Sequence, residues 1–145
     1  MSTQQFELVV VVEKGDRNLS AYVPDVLGCV TTGKDLDDLR ANMKEALEVH
    51  LTSMAEDGDP MPVVRTRHRE LDIAGHRYAV LIEQGQIQVF AFAPDVPEVA
   101  GYGFDSDEAI AALRRQLEIA APSLSEPSTE CYSLSMNISH RAAVA

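Results

Sequence analysis

The chain has 145 residues, of which 46% are hydrophobic and 24% charged, and its formal net charge is −11 at pH 7. This composition is typical of a folded globular protein. The negative charge disfavours direct nucleic-acid binding, because phosphate backbones repel it, and no apolar stretch approaches the roughly 20 residues of a membrane-spanning helix. No basic region precedes the first apolar run, so we expect no signal peptide and a cytoplasmic protein.

The sequence matches itself, without a gap, when it is shifted by 70 residues. Between residues 8–48 and 78–118, 13 of 41 positions are identical. This match predicts a tandem duplication of one small unit, with a first copy over residues 1–70 and a second, diverged copy over residues 71–145. Units of this size bury a modest core, so we expect the two copies to pack on each other as a pseudo-twofold pair.

In chain order, the first copy begins with strands. The apolar, mostly β-branched run over residues 6–12 predicts a buried strand. A turn at Gly15 leads into a second strand over residues 19–23, which stops at Pro24 because proline cannot donate a hydrogen bond to the sheet. A short third strand is expected over residues 29–32.

The helix that follows has a clear start signal in both copies. Asp35 can cap the first turn and Asp38 completes a capping-box-like pair, and Asp105 and Glu108 repeat this arrangement. Pro122 is expected to end the second helix sooner. One apolar stripe at helical spacing runs along the first helix, and His50, which lies on it, is expected to be a packed core residue. The stripe comprises Leu36, Leu39, Met43, Leu47, His50, Leu51 and Met54.

A further strand is expected after each helix, weakly over residues 62–67 and clearly over residues 132–138, where apolar and polar residues alternate. Each copy therefore has the order β-β-β-α-β, which is an α+β unit with a helix covering one sheet face. The basic cluster over residues 65–69 is the one candidate patch for nucleic-acid binding, and the simpler interpretation is a solvated linker or a charged edge strand. Residues 141–145 are expected to form a frayed tail.

Neither a metal site nor a cofactor site is predicted. The histidines have no ligand spacing, and Cys29 and Cys131 are expected to be free thiols. A two-metal nuclease needs carboxylates clustered across the central strands. The first strand carries Glu7 and Glu13 only at its ends, and Glu83 matches Glu13 in the second copy. The sequence therefore predicts a protein that is not an enzyme.

Two segments of the first copy resemble the HicB-like antitoxin family. They are YVPDVLGCVTTG at residues 22–33 and NMKEALEVHL at residues 42–51. A Pro-Asp turn, a Gly-Cys pair before a short strand and a helix of this pattern occur in the family's order, over residues 6–64. The second copy keeps the Pro-Asp turn and the helix start but lacks the Gly-Cys pair.

The resemblance implies a reduced RNase H-like fold and a role in binding and neutralising a small basic RNA-cleaving toxin of the HicA type. It also implies self-association, for which an exposed strand edge over residues 132–138 is a candidate. Asp25 and Asp95 lie in the two Pro-Asp turns. They are either turn residues that bond their own backbone or contacts to a basic partner.

Two other functions stay open from the sequence. One is a solitary HicB-like regulatory or ligand-sensing scaffold without a toxin partner. The other is a residual metal-dependent nuclease.

Overall fold

The computed structural model describes residues 2–140, so the predicted tail over residues 141–145 lies outside the described residues. The mixed α+β class is confirmed. The element order is strand, strand, strand, helix, strand, and this order occurs twice. The elements are β1 (Ser2–Lys14), β2 (Leu19–Tyr22), β3 (Val30–Gly33), α1 (Leu36–Asp57), β4 (Thr66–Ile73), β5 (His76–Gln84), β6 (Val89–Phe92), β7 (Gly101–Gly103), α2 (Ser106–Ala120) and β8 (Thr129–His140).

The described residues form two compact units. The first unit contains the residues up to Val64 and those from Tyr132 onwards, and the second unit is Arg65–Cys131. Each unit has one four-stranded sheet and one helix. Neither α1 nor α2, the helices of the described residues, has an apolar stretch of the length that a bilayer crossing demands.

The sheet of the first unit has the strand order β3-β2-β1-β8. β1 and β2 form an antiparallel hairpin in which Val12 faces Ala21. β8 also runs antiparallel to β1. Thr3 of β1 bonds to Ser139 of β8, and Glu7, four residues later in β1, bonds to Ser135, four residues earlier in β8.

The core of the first unit lies between this sheet and α1. Alternate residues of β1 pack against the helix stripe, as their period of two and the helical spacing predict. The apolar side of β8 completes the core with Met136 and Ile138, so the predicted alternation of that strand is confirmed. The fully buried residues of β1 and α1 in this core are Phe6, Leu8, Val10, Val12, Leu39, Met43, Leu47 and Leu51.

The sheet of the second unit has the strand order β4-β5-β6-β7. Its longest pairing is the β4–β5 hairpin, which runs from Thr66 opposite Glu83 to Ile73 opposite His76. The two-residue turn that joins these strands is Ala74–Gly75, with φ values of 51° and 84°. Positive φ at both turn residues is the geometry that matches the twist of a tight hairpin, and glycine adopts it without strain.

The hairpins of the two units share one register. Val12 faces Ala21 in the first unit, and Ile82 faces Ala91 in the second, so each pair differs from its counterpart by 70 positions. In the second unit, α2 covers one sheet face through Leu113 and Leu117.

The sequence predicts that the strand after each helix joins the sheet of its own copy, but each of these strands joins the sheet of the other copy. β4 follows α1 but pairs with β5, and β8 follows α2 but pairs with β1. The tight turn at Ala74–Gly75 explains the pairing of β4 with β5, because it brings the chain straight back along β4. Of the alternatives for residues 65–69, the structure shows the edge strand, since β4, which begins at Thr66, is outermost in its sheet. The division into copies of residues 1–70 and 71–145, their pseudo-twofold packing and the RNase H-like fold stay predictions.

Both helix starts are capped as expected. The Asp35 carboxylate accepts a hydrogen bond from the Asp38 backbone N–H at 2.8 Å, and Asp105 accepts one from Glu108 at 2.8 Å. The partner carboxylates reach back in turn, since the backbone N–H groups of Lys34 and Phe104 donate to Asp38 and Glu108. α2 gives way to a 3₁₀ turn that contains Pro122, which confirms that proline ends this helix.

Candidate functional site

The first unit carries an open groove of about 610 Å³ between β3, the loop before it and α1. The strand side supplies backbone and short side chains, and the helix side supplies one face of α1. The lining residues are Gly28, Cys29, Val30, Thr31, Asn42, Glu45, Ala46, Val49, His50 and Ser53.

A tight loop sets the strand wall of this groove. The Val26 N–H donates to the Val23 carbonyl, the Cys29 N–H donates to the Val26 carbonyl, and Gly28 lies between them at a φ of 82°. Only glycine adopts that backbone conformation readily. Cys29 is buried, and its thiol contacts the Met43 sulfur at 3.9 Å, which ties the loop to α1. Burial raises the pKa of the Cys29 thiol, so the residue acts as a packing group.

Apolar and polar surface in similar parts lines the groove, together with one carboxylate. Val30 and Val49 are each 65% exposed, and Glu45 is also exposed. The Asn42 side-chain amide donates to the Thr32 carbonyl at 2.8 Å and so covers part of the outer edge of β3.

His50 lines this groove and is only half-buried. The prediction of a packed core histidine is therefore wrong. The helix turns by about 100° per residue, and this angle places His50 at the margin of the apolar stripe rather than at its centre. Leu47 and Leu51, on either side of it, take the core positions.

The corresponding place in the second unit is arranged differently. A Cβ atom on Gly101 would fall inside the contact distance of the Ala109 carbonyl oxygen and 2.5 Å from the Leu113 backbone nitrogen. α2 therefore lies directly on the backbone of β7. The Gln116 side chain also spans from the helix to the strand, where it donates to the Ala100 carbonyl at 2.6 Å.

Asp95 holds the segment that leads into β8. Its carboxylate accepts hydrogen bonds from the backbone N–H groups of Ser128 and Thr129, each at 3.2 Å. It also accepts bonds from their hydroxyls at 3.3 and 3.0 Å. This role of Asp95 was not predicted from the sequence, because its partners lie more than 30 residues away in the chain. Asp25 is half-buried at the matching turn of the first unit, and contact of either residue with a partner protein stays a prediction.

The two cysteines are free thiols, as expected. Burial, together with the nearby carboxylates of Asp95, Glu130 and Glu70, raises the pKa of Cys131 to about 12, because both disfavour the negative thiolate. Cys131 therefore remains a protonated thiol at neutral pH, which is the unreactive form.

The candidate nuclease carboxylates lie on two different sheets. Glu7 on β1 accepts a hydrogen bond from the Ser135 hydroxyl, and Glu13 is exposed near the end of the same strand. Glu83 is exposed on β5. Within residues 2–140, no three metal-binding side chains come together as a cation site.

Comparison with known families identifies the segment that contains the groove. Residues 8–72 match the family model of the HicB-like antitoxin of bacterial toxin–antitoxin systems. This segment is similar to the HicB-like antitoxin family. The resemblance found in the sequence is thereby confirmed over this segment. The HicB-like segment, residues 8–72, includes the second half of β1, all of β2, β3 and α1, and most of β4.

Two relatives match shorter parts of the chain. An uncharacterized 14.9 kDa protein of the rep-hol intergenic region of Haemophilus phage HP1 (strain HP1c1) is 36% identical over 53 residues, which are 37% of this chain and 40% of that protein. A UPF0150 protein of Helicobacter pylori (strain J99 / ATCC 700824) is 38% identical over 47 residues, which are 32% of this chain and 65% of that protein. The chain thus spans less than two thirds of either relative. No solved structure matches it significantly.

Proposed function

We propose that this protein is a cytoplasmic, non-enzymatic antitoxin that binds and neutralises a small basic toxin of the HicA type, which cleaves RNA. The observation that carries the proposal is the match of residues 8–72 to the HicB-like antitoxin family. The toxin–antitoxin context follows from that family, whereas the identity and charge of the partner belong to the proposal.

The charge of the chain supports a basic partner. The net charge is −11, with 23 acidic and 12 basic residues. Opposite charge speeds encounter and orients two proteins, and like charge excludes competitors. The same charge repels RNA, so the protein is expected to act on the toxin and not on the toxin's substrate.

We also propose that the second unit is a diverged duplicate of the HicB-like unit. The shared hairpin register and the paired caps at Asp35 and Asp105 support this origin. Duplication would supply the self-association of the family within one chain, since tethering raises the effective concentration of the two units. Further self-association is proposed through β3 and β8, the outermost strands of the first sheet.

The test is co-expression of the full chain with a small basic reading frame that neighbours its gene. We expect the two products to co-purify, and we expect the growth arrest caused by the neighbour alone to be relieved. The RNA-cleaving activity of the purified neighbour should also fall to background when an equimolar amount of this chain is added.

A clear negative result would decide between the proposals. If the neighbouring product binds neither in cells nor in vitro, the antitoxin role is wrong and the solitary HicB-like scaffold replaces it. If the chain itself cleaves RNA in the presence of Mg²⁺ or Mn²⁺ and Glu13→Ala abolishes the cleavage, the residual nuclease replaces both.

A further inference from the structure

The groove of the first unit exists because two positions differ from their counterparts in the second unit. Thr31 stands where the second unit has Gly101, so its side chain keeps α1 from lying directly on the strand backbone. Ala46 stands where the second unit has Gln116, whose side chain crosses from helix to strand. Thr31 holds the strand and the helix apart, and the short Ala46 side chain does not fill the gap. Open space therefore remains between the strand and the helix.

The surface of this space is apolar and polar in similar parts, with one negative charge. Val30 and Val49 are each 65% exposed, and Leu27, which directly precedes the groove loop, is 89% exposed. Exposed apolar side chains grouped around a groove mark an interaction site. Glu45 supplies a carboxylate, and none of the described residues that line the groove is Lys or Arg. The position of Glu45 is occupied by Arg115 in the second unit, so only the first unit offers a negative charge here.

We propose that this groove is the docking site for one surface segment of the toxin partner, a segment that carries Lys or Arg side chains together with apolar ones. The inference rests on the proposed antitoxin function and adds the place and the chemistry of the contact. Glu45 pairs with a cationic side chain of the partner, while Val30 and Val49 contact its apolar side chains. The net charge of −11 strengthens the same preference over a longer range.

The openness of the groove favours a protein segment over a small metabolite. Sites for small molecules enclose most of the surface of their ligand. This groove has walls on the β3 and α1 sides and is open to solvent above them. A protein segment suits such a site, because the rest of the partner covers its outer side and excludes water.

A short peptide tests the chemistry of the groove in the full chain without any need for the toxin. The probe is an acetylated and amidated heptapeptide of alternating lysine and valine, and its control has glutamate in place of each lysine. NMR spectra of methyl-labelled protein should show shifts at Val30, Ala46 and Val49 with the lysine peptide only. The shifts should weaken as NaCl is raised, since the carboxylate contributes to binding. Shifts that are equal with the glutamate peptide, or that occur at Ile119 and not in the groove, would overturn the proposal.

Two variants taken from the second unit alter the groove in a way that this fold already accepts. Ala46→Gln narrows it, and Glu45→Arg reverses its charge. We expect each variant to weaken binding of the lysine peptide at least tenfold at unchanged melting temperature. The matched control is Glu118→Arg, which makes the same change in net charge on an exposed site of α2 and should alter affinity less than twofold. If Glu118→Arg weakened peptide binding as much as Glu45→Arg, the loss of affinity would come from the net charge of the protein. That result would contradict the docking site.

The same three variants separate failure of the docking site from failure of the antitoxin role. If the neighbouring basic protein binds the wild type and all three variants alike, the antitoxin role stands and the groove is not its docking site. If the lysine peptide binds the groove and the neighbouring protein does not bind at all, the antitoxin role is wrong while the binding chemistry of the groove is right. Loss of toxin binding in the two groove variants alone is the result that we expect.

Discussion

The two units share a hairpin register and a helix start but differ in how closely the helix lies on the outermost strand. In both, a Cβ atom on the last glycine of the strand would collide with the helix start, at 2.5 Å from the Leu39 nitrogen for Gly33 and at 2.7 Å from the Ala109 nitrogen for Gly103. Two residues earlier in the strand, the first unit has Thr31 and the second has Gly101.

The interface between strand and helix is closed or open according to the residues at two matched positions, Thr31 or Gly101 on the strand and Ala46 or Gln116 on the helix. The first unit also has the larger residue where the helix meets the strand, because Leu39 stands where the second unit has Ala109. The second unit therefore gains close packing, and the first unit gains a groove. The open interface lies in the HicB-like segment, which is why we propose the first unit as the partner-binding one.

The largest expected effect comes from placing a charge in either core. Leu47 and Leu117 are both fully buried and occupy matching places in their helices. Leu47→Asp and Leu117→Asp should each lower the free energy of unfolding by more than about 4 kcal/mol, because an unpaired carboxylate replaces buried apolar volume. Urea denaturation followed by circular dichroism measures this change.

Val49→Asp and Ile119→Asp are the matched controls, since these residues are 65% and 81% exposed on the same helices. We expect each control to change the free energy of unfolding by less than about 0.5 kcal/mol. A control as damaging as its buried partner would mean that the helix faces are assigned wrongly.

The next effect tests the packing difference directly. Gly101→Thr introduces the first unit's residue into the second and should lower the free energy of unfolding by about 3 kcal/mol, since the new side chain collides with the α2 backbone. The reverse change, Thr31→Gly, should cost only about 1 kcal/mol, through the added freedom of glycine in the unfolded chain. Equal losses in the two variants would contradict the closed and open interfaces described for these units.

Asp95→Ala should have an intermediate effect. The variant loses four hydrogen bonds to Ser128 and Thr129, so we expect a loss of about 2 kcal/mol in stability. Amide hydrogen exchange at these two residues should become faster than in the wild type. The control Glu98→Ala removes an exposed carboxylate from the same loop and should leave their exchange unchanged. Unchanged exchange in Asp95→Ala would show that the carboxylate does not hold this segment.

The two helix caps should contribute similar, smaller amounts. Asp35→Ala and Asp105→Ala each remove one bond to a backbone N–H in the first turn and should cost about 1 kcal/mol. Asn at either position should restore most of the stability, because its side-chain oxygen can accept the same bond. The melting temperatures of the four variants measure these contributions. If the Ala and Asn variants at one position had the same melting temperature, that capping side chain would not contribute to stability.

The smallest effect compares two buried phenol groups. The Tyr132 hydroxyl is buried and meets no hydrogen-bonding partner among residues 2–140, while the Tyr78 hydroxyl donates to the Ser125 carbonyl at 3.3 Å. Tyr132→Phe should therefore leave stability unchanged or raise it by up to about 1 kcal/mol, and it retains the ring contact with Arg40 at 4.5 Å. Tyr78→Phe should lower stability by about 1 kcal/mol. Denaturation midpoints that fall equally in both variants would contradict the difference in bonding.

Local features of this protein were predictable because their causes are local. The helix starts follow from acidic residues three positions apart, and the buried face of β8 follows from alternation along a single strand. The free state of both cysteines followed from their lack of a close partner in the chain. The family was recognised from the order of a turn, a Gly-Cys pair and a helix within about 30 residues, all of which lie in the matched segment.

The amino-acid sequence by itself determined the α+β class, the order of the elements, the helix caps and the HicB-like segment, because spacing and residue type suffice for each. Only the tertiary structure decided which sheet β4 and β8 join, why Asp95 reaches Ser128, and that His50 borders a groove. These features depend on contacts between residues far apart in the chain and on differences of single side chains at the strand and helix interface. Such contacts form only once the elements have packed, and a linear pattern does not encode their distances.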